Sequence, residues 1–289
     1  MGAAGALPCE HNNCPMKTQT QKAEAFRALH ARKGAFIIPN PFDVGTARIL
    51  KRLGFEALAT TSAGFAFSHG VPDNAVGRDA MIAHVREVCA ATDLPVSADL
   101  ENGFGDEPEA AAETIRQAAA AGVAGGSIED SINRPGEDLY EFGKAVDRVR
   151  AAVEAARALP FPFTLTARCE SFLLGIADLK DTIRRLQAYQ EAGADVLYAP
   201  CITSREEITA IVSSVDRPVN FLMGTQPHRY SLAELSELGV KRVSVGSALS
   251  TVALGAFLRG AREMKDHGTF NYTKESAGFG EITNLFRET

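Results

Sequence analysis

From about residue 20 the chain alternates between two hydrophobic rhythms. Short continuous apolar runs, often rich in β-branched residues, predict buried strands. The longer stretches between them repeat their apolar positions every three to four residues and predict amphipathic helices. On this reading strands occupy 35–39, 57–61, 95–99, 125–129, 163–168, 195–199, 218–223 and 242–245. A helix over 21–31 precedes the first strand, and Asp43 N-caps a helix that runs to Leu53. Helices over 78–91, 108–121, 141–158, 179–191, 204–214, 231–238 and 249–265 follow the remaining strands, and 60–73 reads as a Gly-rich loop. The pairs Leu53-Gly54, Ala121-Gly122, Ala192-Gly193 and Leu238-Gly239 mark the turns from a helix into the next strand. Eight strand–helix units predict a (β/α)₈ TIM barrel. The count, and the lack of Gly-x-Gly-x-x-Gly after a strand, weigh against an open doubly wound sheet.

Three segments result: a loose tail over 1–18, a catalytic barrel over 19–265, and an apolar tail over 266–289. The last carries Phe270, Tyr272, Phe279, Ile282, Leu285 and Phe286, and is expected to pack on the barrel or on a neighbouring subunit. The net charge of −6 and the absence of a basic run argue against nucleic acid as a partner. No apolar stretch is long enough to span a bilayer, and no N-terminal apolar region has the secretory form, so a membrane is not expected either. The five cysteines are odd in number and irregularly spaced, which predicts free thiols in a reducing cytoplasm. Cys9, His11 and Cys14 have the look of metal ligands, but no second pair completes a zinc site.

The chemistry gathers where strands end. In Ser97-Ala-Asp-Leu-Glu-Asn-Gly-Phe-Gly105 the alternation of a strand puts Asp99 and Glu101 on one face. A second acidic end, Glu129-Asp130, lies one unit downstream. Acids converging from adjacent strand ends suit a hard divalent cation such as Mg²⁺. Arg168, on the same face of its strand as Glu170, is the counter-charge: either a fork for a substrate carboxylate or phosphonate, or an ion pair with Glu129 or Glu170. Cys169 falls on the opposite face and reads as a packed thiol. Backbone N–H groups at Gly64 and Phe65, beside Ser62, are placed to hold an oxyanion, and Asp73 to reach the metal through water. Asn40 and Asn220 complete the polar ring, while His69 is a weaker candidate acid on an exposed loop.

These residues resemble the isocitrate lyase and phosphoenolpyruvate mutase superfamily, across about 36–261. The likeness rests on Pro39-Asn-Pro-Phe-Asp-Val, Thr61-Ser-Ala-Gly-Phe, Gly70-Val-Pro-Asp, the Ser97–Gly105 segment, Ser127-Ile-Glu-Asp and Thr166-Ala-Arg. The resemblance implies a helix-swapped barrel in a homo-oligomer, a dimer or tetramer. It implies Mg²⁺, with Mn²⁺ as a substitute, around Asp99, Glu101 and Glu129 with Asp73 behind. It implies a small α-keto or 2-hydroxy carboxylate, or a phosphonate, resting on Arg168 and the backbone near Ser62, Gly64 and Phe65, and Asn220 from the strand-end ring is a further candidate to bind it. Departures bear on the reaction. Where relatives carry Asp as the second acid of the metal motif, this chain has Glu101. The loop after strand four, 130–140, has neither the Cys and His of the lyase branch nor the Lys-x-Asn-Ser of the phosphonomutase branch. Asn133, Arg134 and Glu137 are its candidates for contacting substrate. The expectation is a Mg²⁺-dependent lyase or decarboxylase that breaks a C–C bond. The alternatives are phosphonopyruvate-type P–C chemistry and a barrel that binds a keto acid without turnover.

Overall fold

Adjacent positions on each strand face opposite environments. Leu58, Val96, Ala98, Ile128, Leu165, Ala167, Leu197, Val219, Phe221 and Val243 belong to one buried apolar layer that packs under the helices. Ser97, Asp99, Ser127, Arg168, Asn220, Arg242 and Ser244 line a cavity on the other side. A sheet with these two faces buries its apolar side only by curling inward and wrapping itself in helices. The structure, a computed structural model, describes residues 17–136, 138–224 and 229–287. The cysteines and histidine of the N-terminal tail and Glu137 lie outside the described residues.

The strands are β1 (Phe36–Ile38), β2 (Leu58–Ala59), β3 (Val96–Asp99), β4 (Gly125–Glu129), β5 (Thr164–Arg168), β6 (Val196–Tyr198), β7 (Val219–Leu222) and β8 (Arg242–Ser244). They pair in parallel in the order β1-β8-β7-β6-β5-β4-β3-β2, which makes the predicted (β/α)₈ barrel. β1 and β2 share no ladder. They are joined by the Ala59 N–H donating to the Pro39 carbonyl at 3.0 Å and by Asn40, whose amide donates to the Thr60 carbonyl at 2.9 Å. The Asn40 carbonyl oxygen also accepts from the N–H groups of Val245 and Gly246 at 2.9 and 3.0 Å, so one side chain fastens the ends of β1, β2 and β8.

Around the strands run α1 (Gln19–Ala31), α2 (Val44–Arg52), α3 (Ser62–Ser68), α4 (Arg78–Ala90), α5 (Pro108–Ala120), α6 (Phe142–Arg157), α7 (Leu179–Glu191), α8 (Arg205–Ser214), α9 (Leu232–Glu237), α10 (Ala248–His267) and α11 (Phe279–Phe286). Asp43 caps α2 as predicted. α3 corrects the sequence reading: the start of the expected loop is a helix, capped by Thr61. None of the described helices is long and apolar enough to cross a membrane.

α1 plugs the lower end, packing Ala23, Phe26 and Leu29 against Phe36, Ala57 and Ala124. Gly125 is required there, because a Cβ would lie 2.5 Å from the Thr164 carbonyl oxygen and 3.0 Å from the Phe26 ring. His30 is sandwiched edge-on between Phe26 and Phe36, and its Nδ1–H donates to the Phe26 carbonyl at 2.8 Å. Its Nε2 is buried without a partner. Burial first, then the charge of Arg242, depresses the imidazole from about 6.5 to about 3. Between those values the unfolded chain takes up a proton that the folded chain refuses, so stability falls as pH falls, by about 1.4 kcal/mol per pH unit. A His30→Gln variant is expected to show a shallower loss of denaturation midpoint between pH 6.5 and 4 than the parent; parallel curves would disprove this assignment.

α10 departs from the barrel pattern. Only Ser250 and Gly260 of its residues are buried, while Val252 and Phe257 are 69% and 71% exposed. The outward-facing Ile37 of β1 is likewise left 37% exposed. Beyond α10 a 3₁₀ turn, Asn271–Glu275, folds back so that Tyr272 covers Gly260, and α11 lays Phe286 against Gly45 of α2. The tail thus touches its own barrel, yet Phe279 remains 90% exposed.

Candidate active site

The strands deliver their polar ends to a cavity of about 370 Å³ at the C-terminal mouth of the barrel. Asp99 closes β3 and lines it. One carboxylate oxygen of Asp99 accepts from both the N–H and the hydroxyl of Ser62, at 3.1 Å each, so the start of α3 and the end of β3 hold one another. Its other oxygen accepts from Arg168 at 2.8 Å. Arg168 also pairs with Glu129 at 3.2 Å and Glu170 at 2.8 Å, and its guanidinium lies 5.1 Å from the centre of the Tyr198 ring. Burial works against this charge, but Glu170, Glu129 and Asp99 together keep it firmly protonated. The same burial raises the carboxyls of Glu129 and Glu170, with Arg168 opposing the rise. The ion-pair reading of Arg168 is therefore realised, with a third partner that the sequence did not suggest.

Glu101 sits just past the strand with φ at +48°, in the left-handed region that a side chain rarely adopts. It is buried, its Oε1 has no hydrogen-bond partner, and burial with the charges of Asp99 and Asp73 pushes its carboxyl up to about 8. Asp73 lines the cavity, its carboxyl raised first by burial and then by the charge of Asp99. Among the described residues no three such side chains converge closely enough to enclose a metal ion, because Arg168 lies between Asp99, Glu129 and Glu170. The donor set nevertheless fits a hard cation. It is all oxygen, acids outnumber bases, and the orphaned Glu101 Oε1 lacks the positive partner that burial of a carboxylate demands.

Other candidates divide. Asn133 reaches the cluster, donating its amide to Glu129 at 2.9 Å from a backbone with φ +58°. Arg134 does not: its guanidinium holds Asp106 at 2.8 and 2.9 Å on the outer side of the loop. Gly64 and Phe65 are also corrected. The Gly64 N–H is taken by the Thr61 hydroxyl at 3.2 Å and the Phe65 N–H by the Thr61 carbonyl at 3.1 Å, so neither is free for an oxyanion. Gly64 is small for packing reasons, since a Cβ would stand 2.6 Å from Thr61 Cγ2, and the Phe65 ring stacks on His84 in the core. Ser62 and Ala63 line the cavity instead. Asp130 turns away from the mouth to the Tyr189 hydroxyl at 2.6 Å and Arg185 at 3.3 Å. Cys169 is fully buried, as expected.

Asn220 lines the lower cavity, donating to Ser244 at 3.0 Å and accepting from Arg242 at 2.8 Å. The cavity also takes residues that the strand-end pattern does not single out, Cys201 and Arg242 among them. Cys201 follows β6 with φ at +67° and lines the cavity. Arg242 opens an apolar strand, where alternation with Ser244 was the available signal.

The phosphoenolpyruvate phosphomutase family model matches residues 26–265. A crystal structure of a protein from Burkholderia cenocepacia J2315, taken to be a lyase/mutase, is 61% identical with a TM-score of 0.91, over 93% of this chain and 97% of that one. The crystal structure of 2,3-dimethylmalate lyase is 28% identical with a TM-score of 0.81, over 94% and 95%. An uncharacterized protein of Mycobacterium tuberculosis is 34% identical over 244 residues, 84% of this chain and 89% of the relative.

Proposed function

The chain belongs to the isocitrate lyase and phosphoenolpyruvate mutase superfamily of lyases and mutases, and from that membership we propose that it is a Mg²⁺-dependent lyase. It acts on a small α-keto or 2-hydroxy carboxylate and breaks a C–C bond next to an enolate. The observation that carries this is the acid cluster around Arg168, with Oε1 of the neighbouring buried Glu101 left without a hydrogen-bond partner. Asp99, Glu101 and Glu129 would hold the metal, with Asp73 behind; when bound it supplies a Lewis acid for the keto acid. Arg168, at the mouth, offers a planar fork to the substrate carboxylate. Ser62 keeps Asp99 in place through its two hydrogen bonds, and Asn133 ties the loop after β4 to Glu129. That loop brings neither Cys nor His, which favours a reaction needing only an electron sink and a later proton, such as decarboxylation, over cleavage by a loop thiol.

The test is pyruvate release with Mg²⁺ from oxaloacetate, phosphonopyruvate, isocitrate, methylisocitrate and substituted malates. Release from a C–C substrate, lost on adding EDTA, is the expected result. Release from phosphonopyruvate alone would replace the reading with P–C chemistry. Oxalate binding without turnover of any member would make the barrel a keto-acid binder.

The working form is a homo-oligomer in which a second copy covers α10. The exposed Val252, Leu254, Phe257 and Leu258 support this, together with Ile37 on the strand that α10 leaves bare. Sedimentation is expected to give a dimer or tetramer that Phe257→Lys dissociates; a monomer at micromolar concentration would exclude this assembly.

A further inference from the structure

The hydrogen-bond register of the barrel places two arginines in one cavity with opposite surroundings. Glu129 pairs in register with Arg168, Arg168 with Tyr198, Tyr198 with Asn220, and Asn220 with Arg242. Arg168 is the last residue of β5 and Arg242 the first of β8. The row therefore descends from the mouth toward the floor as it passes around the barrel, and both arginines line the same space.

Their partners differ. Arg168 is held by three carboxylates. Arg242 is only 5% exposed, yet among the described residues it makes no ion pair. Its Nε donates to Asn220 at 2.8 Å and one Nη to Thr166 at 3.0 Å, both neutral acceptors. Its other Nη is buried with no partner. The charge of Arg168 repels it. A guanidinium buried without a counter-ion is costly, and the expense persists in a fold only if something compensates it.

We infer that Arg242, with Asn220 and Ser244 beside it, is a deep anion subsite that takes the second acid group of a substrate whose first is handled at the mouth. The preferred ligand is then a diacid, a dicarboxylate or a carboxylate-phosphonate, bound along the barrel axis. This rests on the reading of the mouth as the place where the keto or hydroxy acid binds. A fully desolvated guanidinium discriminates strongly between an acid and a methyl group at the same place. Arg242 thereby sets specificity rather than performing chemistry.

Malate and 2-hydroxybutanoate differ only in that second carboxylate. Their affinities for the full chain with Mg²⁺ are to be measured by calorimetry, in the parent, Arg242→Gln, Arg242→Lys and Arg168→Gln, with melting temperatures alongside. The parent is expected to prefer malate on the order of 100-fold. Arg242→Gln is expected to erase that preference without weakening 2-hydroxybutanoate, and Arg242→Lys to keep part of it. An Arg242→Gln protein that loses both ligands equally, or retains its preference, overturns the inference. So does a parent with no preference. Should Arg168→Gln and removal of Mg²⁺ leave both affinities intact while Arg242→Gln still erases the preference, the reading of the mouth fails and the deep subsite stands. A parent that releases pyruvate from the panel above yet binds neither acid overturns the subsite alone.

Discussion

Replacing Arg168 with methionine is expected to destabilise the protein by about 3–5 kcal/mol, the usual consequence of removing one side of a buried ionic cluster. Arg168 is the cation shared by Asp99, Glu129 and Glu170, whose side chains are 17%, 8% and 1% exposed. Methionine matches the length of the aliphatic stem but leaves three carboxylates crowded in a poorly solvated space. For a chain of this size the melting temperature should fall on the order of 10 °C. Lysine in the same place restores a charge but not the fork, so Arg168→Lys should recover much of the stability and little of the carboxylate binding. A melting curve for the methionine variant within a degree of the parent would mean that the cluster is not assembled as described.

Asp99→Asn is the complementary experiment, with a large effect on chemistry and a small one on folding. Asparagine keeps the shape, and its carbonyl oxygen can still accept from Ser62. What disappears is the negative charge at a cavity-lining position that touches both α3 and Arg168. Turnover should drop on the order of 10³-fold, the scale expected when stabilisation of developing charge by a Lewis acid is lost. Mg²⁺-dependent oxalate binding should vanish, followed by calorimetry. Unchanged metal-dependent binding would remove Asp99 from the set of ligands.

Much of this architecture was legible in the residues. The predicted spans of β4 and α7 match the structure, because glycines and caps bracket unbroken runs there. The acids at the ends of β3 and β4 stood out since carboxylates on an apolar strand have few structural reasons to exist. α3 was missed because Ser-Ala-Gly-Phe-Ala-Phe-Ser carries little helix propensity; its cap and its burial against the core decide the matter. The same helix withdrew the Gly64 and Phe65 N–H groups from the site, an outcome that spacing cannot foretell. Arg134 and Asn133 are neighbours in sequence, yet the left-handed backbone at Asn133 sends one side chain to Glu129 and the other outward. Arg242 stands at a strand beginning, where a charged residue is usually a solvated cap and by itself carries no sign of a cavity.

The join between β1 and β2 matters for lifetimes. Every other neighbouring pair in the barrel is a ladder, whereas this one depends on a single backbone bond and the Asn40 side chain. Local opening starts where the fewest bonds must break together, so the amides of 57–61 should exchange with deuterium before those of β4 or β5. Asn40, Thr60 and Thr61 also line the cavity. An occupant there would press the loose edges together, and the hours for which the barrel stays shut would lengthen with the time its ligand remains inside.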